Sequence, residues 1–181
     1  MEISRRLQLV DLLRHFGLPL IAVEIGVCSG AFSHELLGQG LDKLFSVDVW
    51  QQTDGIGDIN YPNETFHDDN YIVAKERLSE FGDKSVMIKA HSQEAYKQFS
   101  NETFGLIYMD GPHDEIGVIK DFEVWWPKLI KGGIMAWHDF SNVGLGVDTA
   151  VAKIAEQNNL TIHFIPESSP SDGGAWVQKS I

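Results

Sequence analysis

The sequence predicts a doubly wound α/β domain, and three observations carry that prediction. Short apolar runs recur along the 181-residue chain, and stretches with helical spacing separate them. The first run leads into a turn with two glycines, and the second carries an acid near its end. Strands that alternate with helices build a parallel sheet covered on both faces. Ligands of such sheets bind beyond the carboxyl ends of the strands, so side chains that carry chemistry are expected there.

Taken in order, the elements are these. "MEISRRLQLVDLLRHF" has apolar positions at helical spacing interrupted by Asp11 and Arg14, so residues 1–17 read as an amphipathic helix and not a signal peptide. "LIAVEIG" (20–26), "LFSVDVW" (44–50), "SVMIKA" (85–90), "FGLIYMD" (104–110) and "GIMAWHD" (133–139) read as strands buried on both faces. Helices are expected at 31–40, 67–82, 92–99, 114–130 and 143–159. "LTIHFIP" and "GGAWVQK", split by the turn-rich "ESSPSD", suggest an antiparallel hairpin at the end of the sheet. "PESSPSDGG" is a candidate rim element. The irregular stretch 51–70, "QQTDGIGDINYPNETFHDDN", is expected to form a substrate lid, with Tyr61, Phe66 and His67 as contacts or as part of a solvated loop.

Composition bounds the function. The length suits one domain, 1–181. A net charge of −12 argues against nucleic acid, whose recognition needs clustered Lys and Arg. The single cysteine, Cys28, permits no intrachain disulfide and, inside the glycine turn, reads as a small steric residue. The most apolar segment, "LPLIAVEIGV", is too short to cross a bilayer and contains Glu24. The expectation is a soluble, cytoplasmic protein acting on a small molecule, with oligomeric state open.

The first strand end reads "VEIGVCSGAFSHELL", with Glu24, Gly26 and Gly30, and Asp48 follows 22 residues after Gly26. Glycines let the backbone turn sharply and approach a ligand. An acid at this distance can accept hydrogen bonds from both hydroxyls of a ribose. A glycine pair alone is more simply a plain strand ending; the order strand, glycine turn, helix, strand, acid points to a nucleoside. The spacing lacks the Gly-x-Gly-x-x-Gly that admits a pyrophosphate, which lowers the standing of NAD. Two further acids, Asp110 and Asp139, end strands expected to be neighbours, about 4.8 Å apart. Their carboxylates can converge, and a divalent cation would relieve the repulsion.

These residues, with "SVDVW" and "YMDGPHDEIGVIKDFEVWWPKLIKGGIMAWHDF", give the chain a resemblance. From about residue 20 onward it resembles the class I S-adenosylmethionine-dependent methyltransferases, within them the metal-dependent macrolide sugar O-methyltransferase branch. The resemblance implies a Rossmann-like, seven-stranded, mostly parallel sheet with an antiparallel last strand. It implies that Glu24, Gly26 and Gly30 line the methionine part of S-adenosylmethionine, that Asp48 holds the ribose, and that Ser92 contacts the adenine. Asp110 would serve both cofactor and metal. Trp50 would flank the ring or pack as a core aromatic. Asp110 and Asp139 are implied metal ligands, with His138 as a third ligand or a packed core histidine. Relatives offer an acid where this chain has His138, so the imidazole shifts preference from Mg²⁺ toward Mn²⁺, Fe²⁺ or Zn²⁺. Mg²⁺ and Mn²⁺ are the first choices. His113, delivered from a loop by Gly111 and Pro112, falls where the family places its base. The implied reaction is methyl transfer to a hydroxyl of a small molecule such as a sugar or polyol. A nicotinamide-dependent oxidoreductase and a non-catalytic nucleoside- or metal-binding scaffold are the alternatives.

Overall fold

The computed structural model describes residues 1–51, 64–142, 144–167 and 173–181. Its seven strands form one sheet in the order β3-β2-β1-β4-β5-β7-β6. The strands are β1 Ile21–Ile25, β2 Lys43–Asp48, β3 Ser85–Lys89, β4 Phe104–Met109, β5 Leu129–Trp137, β6 His163–Ile165 and β7 Gly174–Gln178. The helices are α1 Leu9–His15, α2 Ala31–Gly38, α3 Glu64–Leu78, α4 Ser92–Ala95, α5 Glu115–Trp125 and α6 Val147–Asn158. Strands β1 to β5 run parallel, and β7 is antiparallel to both β5 and β6. The expected doubly wound architecture and antiparallel last strand are therefore present, and the final hairpin inserts β7 between β5 and β6.

Alternation along the strands explains the two-sided core, because successive side chains point to opposite faces. Ala22, Leu106, Tyr108, Ile134 and Ala136 pack beneath α1 and α2. Their neighbours Val23, Ile107, Met109, Met135 and Trp137 pack beneath α5 and α6. Every residue of β4 is consequently buried. Edge strand β3 departs from the expectation of burial on both faces: its residues are partly exposed and Lys89 is open to solvent.

Several boundaries also differ. The first helix is a 3₁₀ turn, Arg6–Gln8, followed by the short α1. The helix expected over 114–130 ends at Trp125, because Pro127 stops it in a 3₁₀ turn and Leu129 already starts β5. Asp114 caps α5, accepting from the Gly117 amide at 2.9 Å. The segment read as an irregular lid includes the start of α3, so Phe66 and His67 are helical. Residues 52–63, with Tyr61, and residues 168–172 of the rim segment lie outside the described residues. Among the described residues no helix is long and apolar enough to cross a membrane.

Candidate active site

Strand order reverses between β1 and β4, and the carboxyl ends of β1, β2 and β4 open there into a cleft of about 610 Å³. That is the size of a small-molecule site. Glu24, Gly26, Asp48, Ser92 and Asp110 all line it, as do His113 and His138.

At the end of β1 the chain turns at Gly26, whose φ is +85°. A Cβ there would lie 2.0 Å from the Asp110 carbonyl oxygen. Only glycine lets β1 pass this close to β4, while the Asp110 amide bonds Ile25 O at 2.7 Å. Gly30, also implied as a cofactor residue, is not part of the cleft wall. Its missing side chain makes room for Ala74 of α3, whose atoms would lie 3.2 Å from a Cβ. Gly30 thus serves helix packing.

Asp48 is fixed by three backbone amides: Oδ2 accepts from Val27 at 2.7 Å and Cys28 at 2.9 Å, and Oδ1 from Trp50 at 2.8 Å. A carboxylate has roughly four acceptor positions, so Asp48 has room for one ribose hydroxyl, not both. Trp50 is buried, its indole N–H donates to Cys28 O at 2.8 Å, and its ring packs on Tyr71. It packs as a core aromatic against the glycine turn and also contributes to the cleft wall. Ser92 donates to Asp121 Oδ1 at 2.7 Å. Asp121 is 2% exposed, and burial raises its pKa. Sequence reasoning missed this acid, although it falls among Val118, Phe122 and Trp125 on the apolar stripe of α5, where a charge is unexpected. Arg6 also lines the cleft and was missed, since nothing in helical periodicity marks it.

Glu24 is 1% exposed and accepts a hydrogen bond from Ser33, whose hydroxyl also lies 2.8 Å from that of Ser46. Burial pushes its carboxyl up to about 8, against the Ser33 bond and with help from Asp110 and Asp48. Below the unfolded value near 4.5 the carboxyl is neutral in both states and costs nothing. Between 4.5 and 8 the unfolded chain ionises first, so stability falls, and the full penalty applies above 8. Glu24→Gln should therefore stabilise the cofactor-free protein increasingly across that window, by on the order of a few kcal/mol at its upper end. Urea unfolding from pH 4.5 to 8.5 measures this; a constant difference between variant and parent would refute it.

Four side chains meet where β4 and β5 end. His138 Nδ1 lies 3.3 Å from both Asp110 Oδ1 and Asp139 Oδ2, and His113 Nε2 lies 3.6 and 3.2 Å from the same two atoms. The His138 amide continues the β4 ladder by bonding Met109 O at 3.0 Å, and Asp139 then takes a left-handed conformation, φ +54°. The neighbouring carboxylates raise His113 to about 9. Burial opposes the same effect at His138, yet the carboxylates prevail and raise it to about 10. The two imidazoles outweigh burial at Asp139 and hold it well below the usual carboxylate range. Without a cation the cluster is two imidazolium groups and two carboxylates joined by four contacts, so that their charges balance.

The donor set also fits a divalent cation. Ligand atoms of Asp110, His113 and Asp139 all lie within 4.8 Å of one another, which draws His113, expected as the base, into ligand range and leaves His138 outside that trio. Neither His113 Nε2 nor His138 Nε2, both shielded from solvent, makes a well-aligned hydrogen bond among the described residues. Mixed carboxylate and imidazole donors suit Mn²⁺ or Fe²⁺ better than an all-oxygen site would.

A family model described as "Methyltransferase domain" matches residues 23–140, well over half of the chain. The protein y4gI of Sinorhizobium fredii (strain NBRC 101917 / NGR234) is 26% identical over 132 residues; the match covers 73% of this chain and only 13% of that protein. Among solved structures, an O-methyltransferase from Bacillus cereus in complex with SAH superposes with a TM-score of 0.70 at 15% identity, covering 96% of this chain and 80% of that one. SAH-bound methyltransferase PaMTH1 of Podospora anserina gives 0.69 at 15% identity, covering 96% and 76%. N-methyltransferase NodS from Bradyrhizobium japonicum WM9 gives 0.65 at 19% identity, covering 96% and 93%. At these identities the superpositions establish the fold, and they span oxygen and nitrogen acceptors alike.

Proposed function

The chain belongs to the methyltransferase domain family, and we propose that it transfers a methyl group from S-adenosylmethionine to a hydroxyl of a small molecule, assisted by a divalent cation. The observation that carries the hydroxyl and the cation is the convergence of Asp110 and Asp139 with two imidazoles beside the cleft.

In this reading Glu24 and Gly26 hold the methionine end, Asp48 one ribose hydroxyl, and Ser92, oriented by Asp121, the adenine. Asp110 and Asp139 would hold the cation with His138, whose Nδ1 lies 3.3 Å from both carboxylates, as third ligand; the tighter trio with His113 in that place is the alternative ligand set. A cation held there would supply a Lewis acid that lowers the pKa of an acceptor hydroxyl. His113 comes from the Gly111–Pro112 turn and is the more exposed of the two histidines. It would take the proton at Nε2 as the acceptor oxygen forms its bond to the methyl carbon and the methyl–sulfonium bond breaks, releasing S-adenosylhomocysteine. The carboxylates keep both imidazoles protonated near neutral pH when no cation is held, so His113 can act as a base only after that proton has left. Phe66 and His67 of α3 form part of the cleft wall and are proposed acceptor contacts. A sugar or polyol, with adjacent hydroxyls, is the acceptor class this arrangement suits. The test is transfer of labelled methyl from S-adenosylmethionine to a panel of hydroxylated small molecules, with Mn²⁺ or Mg²⁺ and with chelator.

A further inference from the structure

Resting on the cofactor reading above, we propose that Arg6 recognises the α-carboxylate of the methionine part of S-adenosylmethionine. Arg6 opens the 3₁₀ turn ahead of α1 and lines the cleft beside Glu24, Ala31, Phe32 and Asp110. Its guanidinium carbon sits 4.7 Å from the centroid of the Phe32 ring, in the first turn of α2.

The charge inventory of the cleft calls for such a partner. Its wall carries four carboxylates, Glu24, Asp48, Asp110 and Asp114, against two permanent cations, Arg6 and Lys120, among the described residues. Lys120 belongs to α5, whose Asp121 bonds Ser92 at the end assigned to adenine. Arg6 stands near Glu24 and Asp110. An amino acid moiety brings one ammonium and one carboxylate. The ammonium finds acids there, and the guanidinium is the permanent positive charge at hand for the carboxylate. Tyr108, 1% exposed and not part of the cleft wall, interacts with Arg6 from the protein side.

Arg6 is also held in place before any ligand arrives. Its amide donates to Glu167 Oε1, the Glu167 amide bonds Ser4 O at 3.1 Å, and the Ser4 and Arg5 amides bond Gln8 Oε1 at 2.9 and 3.1 Å. The N-terminal segment is thus tied to the chain leaving β6. A planar fork on a fixed backbone matches a carboxylate in two-point geometry.

The experiment titrates the protein, Arg6→Gln and Arg6→Lys with S-adenosylhomocysteine and with its decarboxylated analogue, which keeps the nucleoside, sulfur and ammonium. The parent should prefer S-adenosylhomocysteine by about 10- to 100-fold, the scale of a charge-assisted pair. Arg6→Gln should lose affinity for S-adenosylhomocysteine by that factor and hold the analogue within about twofold, so that the preference collapses, and Arg6→Lys should keep part of it. Equal loss for both ligands, or unchanged affinity for S-adenosylhomocysteine in Arg6→Gln, would overturn the assignment. A parent that binds neither ligand would instead remove the cofactor reading, and this proposal with it.

Discussion

Asp139→Ala is expected to cut methyl transfer by on the order of a thousandfold or more while leaving S-adenosylhomocysteine affinity within about threefold, because loss of a Lewis acid removes several kcal/mol of transition-state stabilisation at about tenfold in rate per 1.4 kcal/mol. The split between turnover and binding follows from position. Asp139 lies within 3.3 Å of both imidazoles but is not part of the cofactor cleft wall. Asp110 is a poorer probe, since it lines the cleft and its backbone is locked against Gly26 and Ile25. Removing the Asp139 carboxylate leaves two histidines sharing one acid, so cation affinity should fall with turnover. Single-turnover kinetics alongside calorimetry checks both halves; turnover within tenfold of the parent would refute the role.

Gly26→Ala should be the most damaging small substitution in the cleft. The added carbon would meet the Asp110 carbonyl oxygen at 2.0 Å, its carbon at 2.4 Å and the Gly111 nitrogen at 2.7 Å. All three are backbone atoms just past the end of β4 and cannot swing aside as a side-chain tip could. The left-handed φ adds a further cost for any side chain. Together these predict a loss of on the order of 3 kcal/mol and displacement of Asp110 from the cluster. Gly30→Ala, where the closest contact is 3.2 Å to Ala74, should cost less. Urea midpoints order the two variants; equal effects would mean that the close approach of β1 to β4 is not what requires glycine.

The strands were legible because apolar runs of this length have few other readings, and their parallel arrangement followed from the helices between them. The acids at their ends were legible for the same reason: Asp48, Asp110 and Asp139 interrupt apolar runs. Glycines were seen but not sorted. Gly26 and Gly30 look alike in sequence, and only tertiary packing reveals that one faces β4 and the other faces α3. The start of α3 reads as a loop because "ETFHDDN" has no apolar stripe, and its helix is set by what it packs against. The beginning of β5 was hidden behind Trp125, Trp126 and Pro127, which extend an apparent helix. Arg6 was invisible since a cation in an amphipathic N-terminal helix ordinarily faces water. His113 and His138 could be nominated but not ranked, because their roles depend on distances of a few tenths of an ångström around two shared carboxylates.

The measurement that bears most directly on the account is the transfer of labelled methyl from S-adenosylmethionine to hydroxylated small molecules, run with Mn²⁺ or Mg²⁺ and again with chelator. The account predicts label on an acceptor oxygen with the cation present and loss of most turnover on chelation. Transfer that chelator leaves unchanged, or that goes only to nitrogen acceptors, would contradict it.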